Sequence, residues 1–323
     1  MGSLVFWVLL LGSLLPPRPL LSSSNGLSEN FYANTCPNVE TFIWNALVEK
    51  LKEPFRPTLP ATLRLFFHDC FVEGCDGSVL ISSKAYDAER DAEINLSLIP
   101  DGFEVVNLAK KAVEAACPGV VSCADILAIL ARDVVYYAKG PWWPVEKGRR
   151  DGRNSKAANA AAQLPSGNSN LTDLIEMFQS KGLSKFDLVT LSGGHTLGLS
   201  HCTEFANRLR RPDPTMNETL RVDIIDRCPY PKINPLVMME FDETAFQFDN
   251  LYYKRLRQLR GLLTSDQELF SGGDEYIRAM VSRFAEDQEL FFKSFGNAMK
   301  RLGAVGVKTG TEGEIRKDCI SFN

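Results

Sequence analysis

The sequence predicts a mainly α-helical protein with two lobes and only short β-strands. Apolar residues recur at helical spacing along most of the chain, whereas the alternating pattern typical of strands is weak and short. A loose, polar connection over 157–170 divides the chain, and each half carries one histidine within a distinctive motif. We therefore expect residues 25–165 to form mainly one lobe and residues 166–323 mainly the other.

The amino terminus has the features of a secretory signal peptide. An apolar run extends from Leu4 to Leu15, which is shorter than the about 20 residues needed to span a bilayer. We expect residues 1–24 to be removed, with cleavage near Ser24.

The helical stretches follow from apolar stripes and from capping residues. Ser122 is expected to cap a long buried helix that ends at Gly140-Pro141, and Asn170 with Asp173 indicates a capping box. The stretches predicted to be helical are 39–47, 106–116, 122–138, 171–178, 186–192, 198–209, 250–260, 266–271, 274–285 and 287–302.

Composition and cysteine content narrow the class of protein. The chain is 45% hydrophobic and 24% charged, which is ordinary for a globular protein, and its net charge of −4 argues against a nucleic-acid partner. Its eight cysteines form no CxxC or Cys-His cluster, so a zinc site is not indicated. After a signal peptide, an even number of cysteines predicts four disulfides, although the sequence leaves 105 pairings open.

The motif RLFFHDCF carries a candidate acid-base pair. Arg64 and His68 are four residues apart, so a helix would present both on one face. A guanidinium beside an imidazole suits a reaction in which a proton moves while negative charge develops nearby. The alternative for any single histidine on an apolar helix is a packed core residue.

The loop that follows His68 is a candidate cation site. Oxygen donors alternate along it, and an all-oxygen set suits a hard cation such as calcium. Cys70 and Cys75 bracket the loop and could close it covalently. An acidic turn held by a disulfide is the alternative. The donors are Asp69, Val72, Gly74, Asp76 and Ser78.

A second histidine motif, LSGGHTLG, lies in the other half. His195 follows two glycines, which permit close approach of the backbone to a flat ligand. His201 is six residues further on and would lie on a different helix face, so the two do not form a metal clamp. We expect His68 and His195 to face a common planar cofactor from opposite lobes.

The mature chain resembles the plant secretory (class III) haem peroxidases over nearly its whole length. The resemblance rests on the motifs above together with FYANTCPNVE, VSCADILA, GRRDGR, FDN and SDQELF. The resemblance implies a two-lobed haem peroxidase fold over 25–323, with haem b between a distal lobe (25–165) and a proximal lobe (166–323). It also implies an enzyme that reduces hydrogen peroxide to water and oxidises small phenolic donors in one-electron steps.

The resemblance also implies roles for individual residues. His195 would ligate the haem iron and Asp266 would accept a hydrogen bond from its other nitrogen. Asn95 would fix the tautomer of His68, Glu89 would orient Asn95, and Arg64 would stabilise developing negative charge. Pro165 would line the access route of the donor. Leu197 and Glu204 stand where familiar members carry phenylalanine, and Glu93 adds a carboxylate near the entrance.

Two calcium ions and four disulfides complete what the resemblance implies. The loop above would hold the first ion. The ligands implied for the second ion are Thr196, Asp242, Thr244, Gln247 and Asp249. The loop that carries the last four is one residue shorter than a common family length. The implied disulfides are Cys36–Cys117, Cys70–Cys75, Cys123–Cys319 and Cys202–Cys228.

The resulting expectation is a secreted monomer of the cell wall or vacuole with no membrane partner. Sequons at Asn170 and Asn217 are candidates for glycans, whereas Asn95 is better explained by its place beside His68. Two alternatives stay open. One is a secreted haem- and calcium-binding protein without turnover, and the other is a disulfide-rich structural wall protein.

Overall fold

The computed structural model describes residues 26–53 and 57–323. The predicted signal peptide, residues 1–24, lies outside this range. Within the described residues no helix combines the length and the apolar character needed to cross a membrane.

The chain is mainly α-helical, which confirms the predicted fold class. Single-turn 3₁₀ helices connect several of the longer elements, among them Glu89–Asp91, Glu93–Asn95 and Gly193–Thr196. The α-helices are α1 (Val39–Lys50), α2 (Thr58–Phe71), α3 (Pro100–Ala116), α4 (Cys123–Tyr137), α5 (Ala157–Gln163), α6 (Leu171–Ser180), α7 (Lys185–Ser192), α8 (Glu218–Arg227), α9 (Leu251–Arg257), α10 (Thr264–Ser271), α11 (Glu275–Glu286) and α12 (Gln288–Leu302). Two short strands, β1 (Leu199–His201) and β2 (Met238–Glu240), pair antiparallel.

Helix α4 is the buried centre of the first half. Every residue from Cys123 to Val135 is buried, and α4 packs against α1, α2 and α3. The hydroxyl of Ser122 accepts a hydrogen bond from the amide of Asp125, as the sequence predicts for a helix cap. The carboxylate of Asp125 then forms a buried ion pair with Arg149, at 2.8 Å. This rigid helix supports α2, which carries Arg64 and His68.

The predicted helix over 198–209 is wrong. Gly198 has φ of +105°, a conformation outside the helical region, and the chain continues as β1. The following segment, Cys202–Leu209, is a 3₁₀ helix interrupted at Phe205. Pairing of His201 with Met238 in β2 therefore replaces the helical hydrogen bonds that periodicity suggested.

Two further helices differ from the sequence-based expectation. The connection over 157–170 is not entirely loose, because its first part forms α5, whose sequence AANAAAQ is rich in the strongest helix former. Helix α8 was not predicted, since its apolar pattern is weak. The side chain of Asn217 caps α8 by accepting a hydrogen bond from Thr219 N.

The carboxyl-terminal segment returns to the first half of the chain. Cys319 is bonded to Cys123 at the start of α4, and Val305 O accepts a hydrogen bond from Cys75 N at 3.0 Å. Gly74 lies so close that a methyl group there would come within 2.4 Å of Gly306 O. The four disulfides follow the pairing that the resemblance implied: Cys36–Cys117, Cys70–Cys75, Cys123–Cys319 and Cys202–Cys228.

Candidate active site

A cavity of about 270 Å³ lies between His68 and His195. Its walls are mostly apolar and come from both halves of the chain. They include Leu63, Phe67, Leu98, Phe178, Leu191, Phe241, Leu263, Phe295 and Met299. Among the described residues that line it, few side chains carry charged or titratable groups: Arg64, His68, His195, His201, Glu204 and Asp266. An apolar cavity with a small number of convergent polar groups is typical of a cofactor site.

Arg64 and His68 meet on the cavity face of α2, as their spacing predicts. Nε of Arg64 donates a hydrogen bond to Nε2 of His68 at 3.1 Å. Both outer nitrogens of Arg64 bond to Ser97, one to its carbonyl at 3.1 Å and one to its hydroxyl at 2.9 Å. Arg64 is exposed and lines the cavity. Surrounding protein lowers its pKa, and the carboxylate of Glu204 opposes that decrease.

His68 is held as a neutral base. Its Nδ1 lies 2.6 Å from Oδ1 of Asn95, and the Asn95 amide nitrogen donates to the backbone oxygen of Glu89 at 2.7 Å. Because an amide oxygen can only accept, Nδ1 carries the proton and Nε2 keeps its lone pair. Burial, followed by the charge of Arg64, lowers the pKa of His68 to about 3, although the hydrogen bond to Asn95 opposes the decrease. At neutral pH the ring is therefore ready to accept a proton.

His195 has a different hydrogen-bond partner. Its Nδ1 lies 2.7 Å from Oδ1 of Asp266, a carboxylate that is 2% exposed. The hydroxyl of Tyr252 donates to the same oxygen at 2.9 Å. The ring of Phe241 stacks on the imidazole with centroids 4.5 Å apart and planes within 4°. These contacts fix the ring and leave Nε2 free on the cavity side.

The residues present fit a haem. His68 and His195 each offer an imidazole to the cavity, and most of the wall between them is apolar. Gly193 allows the backbone to pack directly on Tyr253 and Phe291, because a methyl group there would lie 2.3 Å from the tyrosine oxygen. Gly194 lines the cavity, and a methyl group there would extend toward Leu63, at 3.6 Å. Gly194 thus keeps the wall beside His195 free of a side chain, while Gly193 lets the backbone behind it pack closely.

The first candidate calcium loop gathers buried carboxyl groups. Asp69, Asp76 and Glu89 are each no more than 2% exposed. Asp69 accepts from Gly77 N at 3.0 Å, Asp76 accepts from Ser78 N at 3.0 Å, and Ser78 donates to Glu89 at 3.1 Å. Burial and the charge of Asp76 raise the pKa of Asp69 to about 8. Burial and both aspartates raise the pKa of Glu89 to about 9.

This loop has features that the sequence did not predict. One Glu89 oxygen is buried without a hydrogen-bond partner, and the ammonium of Lys308 lies against Asp76. Among the described residues, no three His, Cys, Asp or Glu side chains converge closely enough to form a metal site by themselves. A cation here would therefore depend on the hydroxyl of Ser78 and the carbonyl oxygens of Val72 and Gly74.

The second candidate calcium set comes together around Thr196, next to His195. Its hydroxyl donates to Asp242 at 2.7 Å, and Asp249 lies 3.4 Å away. Thr244 donates to Asp242 through both its amide and its hydroxyl, each at 2.9 Å. The Gln247 amide nitrogen donates to Asp249 at 3.1 Å, and its side-chain oxygen lies 3.5 Å from the ammonium of Lys139.

The predicted donor route also borders the cavity. Pro165, Leu197 and Glu204 are part of its wall. Glu93 is exposed and does not line the cavity, whereas its neighbour Ile94 does. His201 shares the wall but belongs to β1, whereas His195 belongs to the 3₁₀ turn Gly193–Thr196.

Four contributors were missed by the sequence interpretation: Ser97, Phe241, Tyr252 and Lys308. Ser97 lies two residues after Asn95, and that proximity was the only available signal. Tyr252 and Phe241 lie in ordinary apolar surroundings, and their contacts with Asp266 and His195 depend on tertiary structure. Lys308 is distant from Asp76 in sequence and reaches it only because the carboxyl-terminal segment folds back.

Comparison with known proteins gives concordant results. A family model described as "Peroxidase" matches residues 43–287. The chain is 50% identical to Peroxidase 55 of Arabidopsis thaliana over 312 residues, which cover 94% of this chain and 93% of that protein. Peroxidase 51 of the same plant is 48% identical over 311 residues, covering 93% of each chain. Peroxidase 50 is 47% identical over 311 residues, with the same coverage.

Proposed function

The chain belongs to the peroxidase family, and from that premise we propose that His195 ligates the iron of one haem b in the cavity opposite Arg64, His68 and Asn95. The protein is an enzyme, a haem peroxidase that consumes hydrogen peroxide and a reducing donor. In the proposed arrangement residues 25–165 contribute mainly the distal side of the cavity and residues 166–323 mainly the proximal side.

The observation that carries this proposal is the contrast between the partners of the two histidines. His195 donates from Nδ1 to the carboxylate of Asp266, which increases the basicity of the free nitrogen and favours it as a metal ligand. His68 donates from Nδ1 to the neutral amide of Asn95, which selects the tautomer without adding charge. One imidazole is thus suited to hold iron and the other to transfer a proton.

When bound, haem supplies an iron centre that receives peroxide and accepts two oxidising equivalents. The protein supplies proton transfer and charge stabilisation. Nε2 of His68 takes one proton from the peroxide and returns it to the departing oxygen, which leaves as water. Arg64 stabilises the negative charge that develops as the O–O bond breaks. In balance, two phenols each lose one electron and one proton, and one peroxide becomes two waters.

Two calcium ions belong to the same proposal. The first would be held by Asp69, Val72, Gly74, Asp76 and Ser78, and the second by Thr196, Asp242, Thr244, Gln247 and Asp249. Support comes from carboxylates buried close together, which repel one another unless a cation compensates them. The second set would also tether Thr196, the residue next to the haem ligand.

The proposed donors are small phenols that reach the cavity past Pro165. The apolar stretch of wall that Pro165 shares with Leu197 and Leu263 suits the ring of a phenol. We further propose a monomer secreted to the cell wall or vacuole, with glycans at Asn170 and Asn217. Four disulfides and the apolar run at the amino terminus support secretion.

The test combines a visible absorption spectrum of the purified protein with a peroxide-dependent guaiacol assay. A haem spectrum with guaiacol oxidation is expected, whereas a haem spectrum without oxidation would favour the alternative of a binding protein without turnover. His195→Ala should lose haem, or retain it so weakly that it is easily extracted. His201→Ala is the matched control, because it removes another imidazole from the same cavity and should retain haem. Equal haem content and an unchanged spectrum in His195→Ala would contradict the ligand assignment.

A further inference from the structure

Glu204 places a carboxylate on the cavity wall that the proposed peroxide chemistry does not use. Asp266, the other acidic residue among the described residues of the wall, is buried and bonded to His195 and Tyr252. Glu204 is exposed, and among the described residues its carboxylate forms no hydrogen bond or ion pair. The charge of this side chain is therefore available to a molecule that enters the cavity.

The position of Glu204 is fixed by its neighbours. Cys202 is bonded to Cys228, and Phe205 is fully buried, so the backbone on both sides is anchored. A methyl group at Gly167 would lie 3.4 Å from the backbone oxygen of Glu204. Glu204 therefore borders the same part of the wall as the turn that begins at Pro165, where the donor is proposed to enter.

The charge of Glu204 balances that of Arg64 inside the cavity. Arg64 would by itself attract an anionic donor, and Glu204 is the acidic group whose field acts on its guanidinium. Low-dielectric walls make such fields stronger than they would be in water. A positively charged group on a donor would find a partner in Glu204, whereas a carboxylate would be repelled by it.

We propose that Glu204 determines the charge preference of the donor site, favouring phenols with an ammonium side chain over phenols with a carboxylate. This inference rests on the proposed function and specifies its substrate class. The oxidation itself is unchanged: each phenol gives one electron and one proton, and peroxide is the oxidant. Glu204 acts on the binding of the donor and not on the O–O bond.

The experiment uses the haem-loaded enzyme and three donors that share a phenol ring: tyramine, p-cresol and 4-hydroxyphenylacetate. kcat/KM is measured for each at a pH where the amine is protonated and the acid is ionised. In Glu204→Gln, kcat/KM for tyramine divided by kcat/KM for 4-hydroxyphenylacetate should fall by about tenfold, while kcat/KM for p-cresol should change little. The change should lie mainly in KM for the donor, and any effect of the lost charge on Arg64 would alter the peroxide step alike for all three donors and cancel from the ratio. Glu204→Asp should retain the preference.

Glu93→Gln is the matched control, because it removes the same charge from an exposed residue that does not line the cavity. An unchanged ratio in Glu204→Gln, or an equal fall in Glu93→Gln, would overturn the proposal. If Glu204→Gln does not retain haem, the wild-type ratio is measured against salt, which screens exposed charges. The ratio should fall as salt rises, and a constant ratio would overturn the proposal. Failure of wild type to oxidise p-cresol would instead contradict the proposed function.

Discussion

At the scale of the residue, two histidines with the same side chain acquire different chemical properties from their hydrogen-bond partners. His68 and His195 both use Nδ1 as a donor, one to an amide and the other to a carboxylate. His68 is buried next to the charge of Arg64, and its pKa of about 3 keeps it neutral over most of the pH range. Residues that form no part of the cavity wall, such as Asn95, thus decide what the histidines can do.

The first residue-scale prediction ranks two distal variants. His68→Leu should retain haem but react with peroxide ~10²–10⁴-fold more slowly, because general acid-base catalysis typically contributes that factor. Asn95→Val should lie between this variant and wild type, since His68 remains but its tautomer is no longer fixed. Stopped-flow rates of the first peroxide step measure both. A rate in His68→Leu equal to that of wild type would exclude His68 as the base.

The pH dependence of the same step follows from the direction of the pKa shift. Only neutral His68 can take the proton, and its folded-state pKa is about 3, compared with an ordinary value of 6.5. The rate should therefore stay constant as pH falls through the ordinary range and decrease only as pH approaches about 3. A decrease centred near the ordinary value would contradict the structural account of His68.

The sequence predicted the residues of the site best where neighbours in the sequence are also neighbours in space. The pair Arg64 and His68 follows from helical spacing alone. Asn95 and Asp266 required the resemblance, because nothing local connects them with the histidines that they touch. Ser97, Tyr252 and Phe241 could not be predicted, since their contacts form only when α2, α9 and the β2 region meet around the cavity.

At the scale of the element, the loop after α2 links a proposed cation site to the distal base. His68 and Asp69 share one peptide unit, and the Cys70–Cys75 disulfide restricts how far the loop can relax. Without calcium, Asp69 and Glu89 would repel Asp76 and each other when ionised, and within this group only Asp76 has a lysine partner, Lys308. Displacement of the end of α2 would relieve that repulsion, and His68 would move with it.

We expect chelation of calcium to lower thermal stability and the rate of the peroxide step together, and added calcium to restore both.

The stability of the calcium-free protein should also depend on pH, in a direction that follows from the pKa of Asp69. Without calcium the folded-state pKa of Asp69 is about 8, compared with an ordinary 3.8, so the folded state binds more protons between these values. Stability of the calcium-free protein should therefore fall as pH rises through that window, and saturating calcium should remove the fall. Melting temperatures with chelator and with calcium measure this.

The matched pair of variants for this loop is Asp69→Asn and Glu73→Gln. Asp69→Asn should imitate chelation because it removes a proposed ligand. Glu73 is exposed and bonded through its carboxylate to Asn154 and Asn159, so Glu73→Gln should leave the calcium response intact. Similar behaviour of the two variants would show that the ligand assignment is wrong. If Asp69→Asn or calcium-free protein loses stability but keeps the wild-type rate of the peroxide step, the loop has only a structural role.

Element prediction failed where tertiary contacts overrode local pattern. The apolar spacing over 198–209 favours a helix, but the positive φ of Gly198 and the pairing of β1 with β2 impose a different path. This path matters for function because it brings His201 and Glu204 to the cavity wall. By contrast, α4 and α6 were predictable, because in each helix the apolar stripe and the capping residue indicate the same first residue.

At the scale of the whole molecule, the carboxyl-terminal segment secures the half of the chain that carries the distal residues. Arg316 is fully buried and donates hydrogen bonds to the carbonyls of Gly77, at 2.7 Å, and Gly152, at 2.8 Å. Val305 O accepts from Cys75, and Cys319 is bonded to Cys123. Regions far apart in sequence therefore meet beside the calcium loop, a topology that no local pattern indicates.

The last prediction concerns the free energy of unfolding that the Cys123–Cys319 disulfide contributes. Its partners are 196 residues apart, whereas those of Cys202–Cys228 are 26 apart. A disulfide stabilises largely by restricting the unfolded chain, so the expected contributions are about 5 and about 3.5 kcal/mol respectively. Arg316 should still hold the segment in the folded state after the bridge is removed, so the effect should arise mainly from the unfolded chain.

Cys123→Ser/Cys319→Ser should therefore lower the free energy of unfolding more than Cys202→Ser/Cys228→Ser, as measured by denaturant titration of the haem-loaded proteins. The peroxide step should be unchanged in the first variant, because no residue beyond Leu302 lines the cavity. The second variant loosens the segment that carries Glu204, so its donor preference should weaken although it loses less stability. An equal or smaller loss of stability in the first variant would show that the length of the closed loop does not set the contribution of these two disulfides.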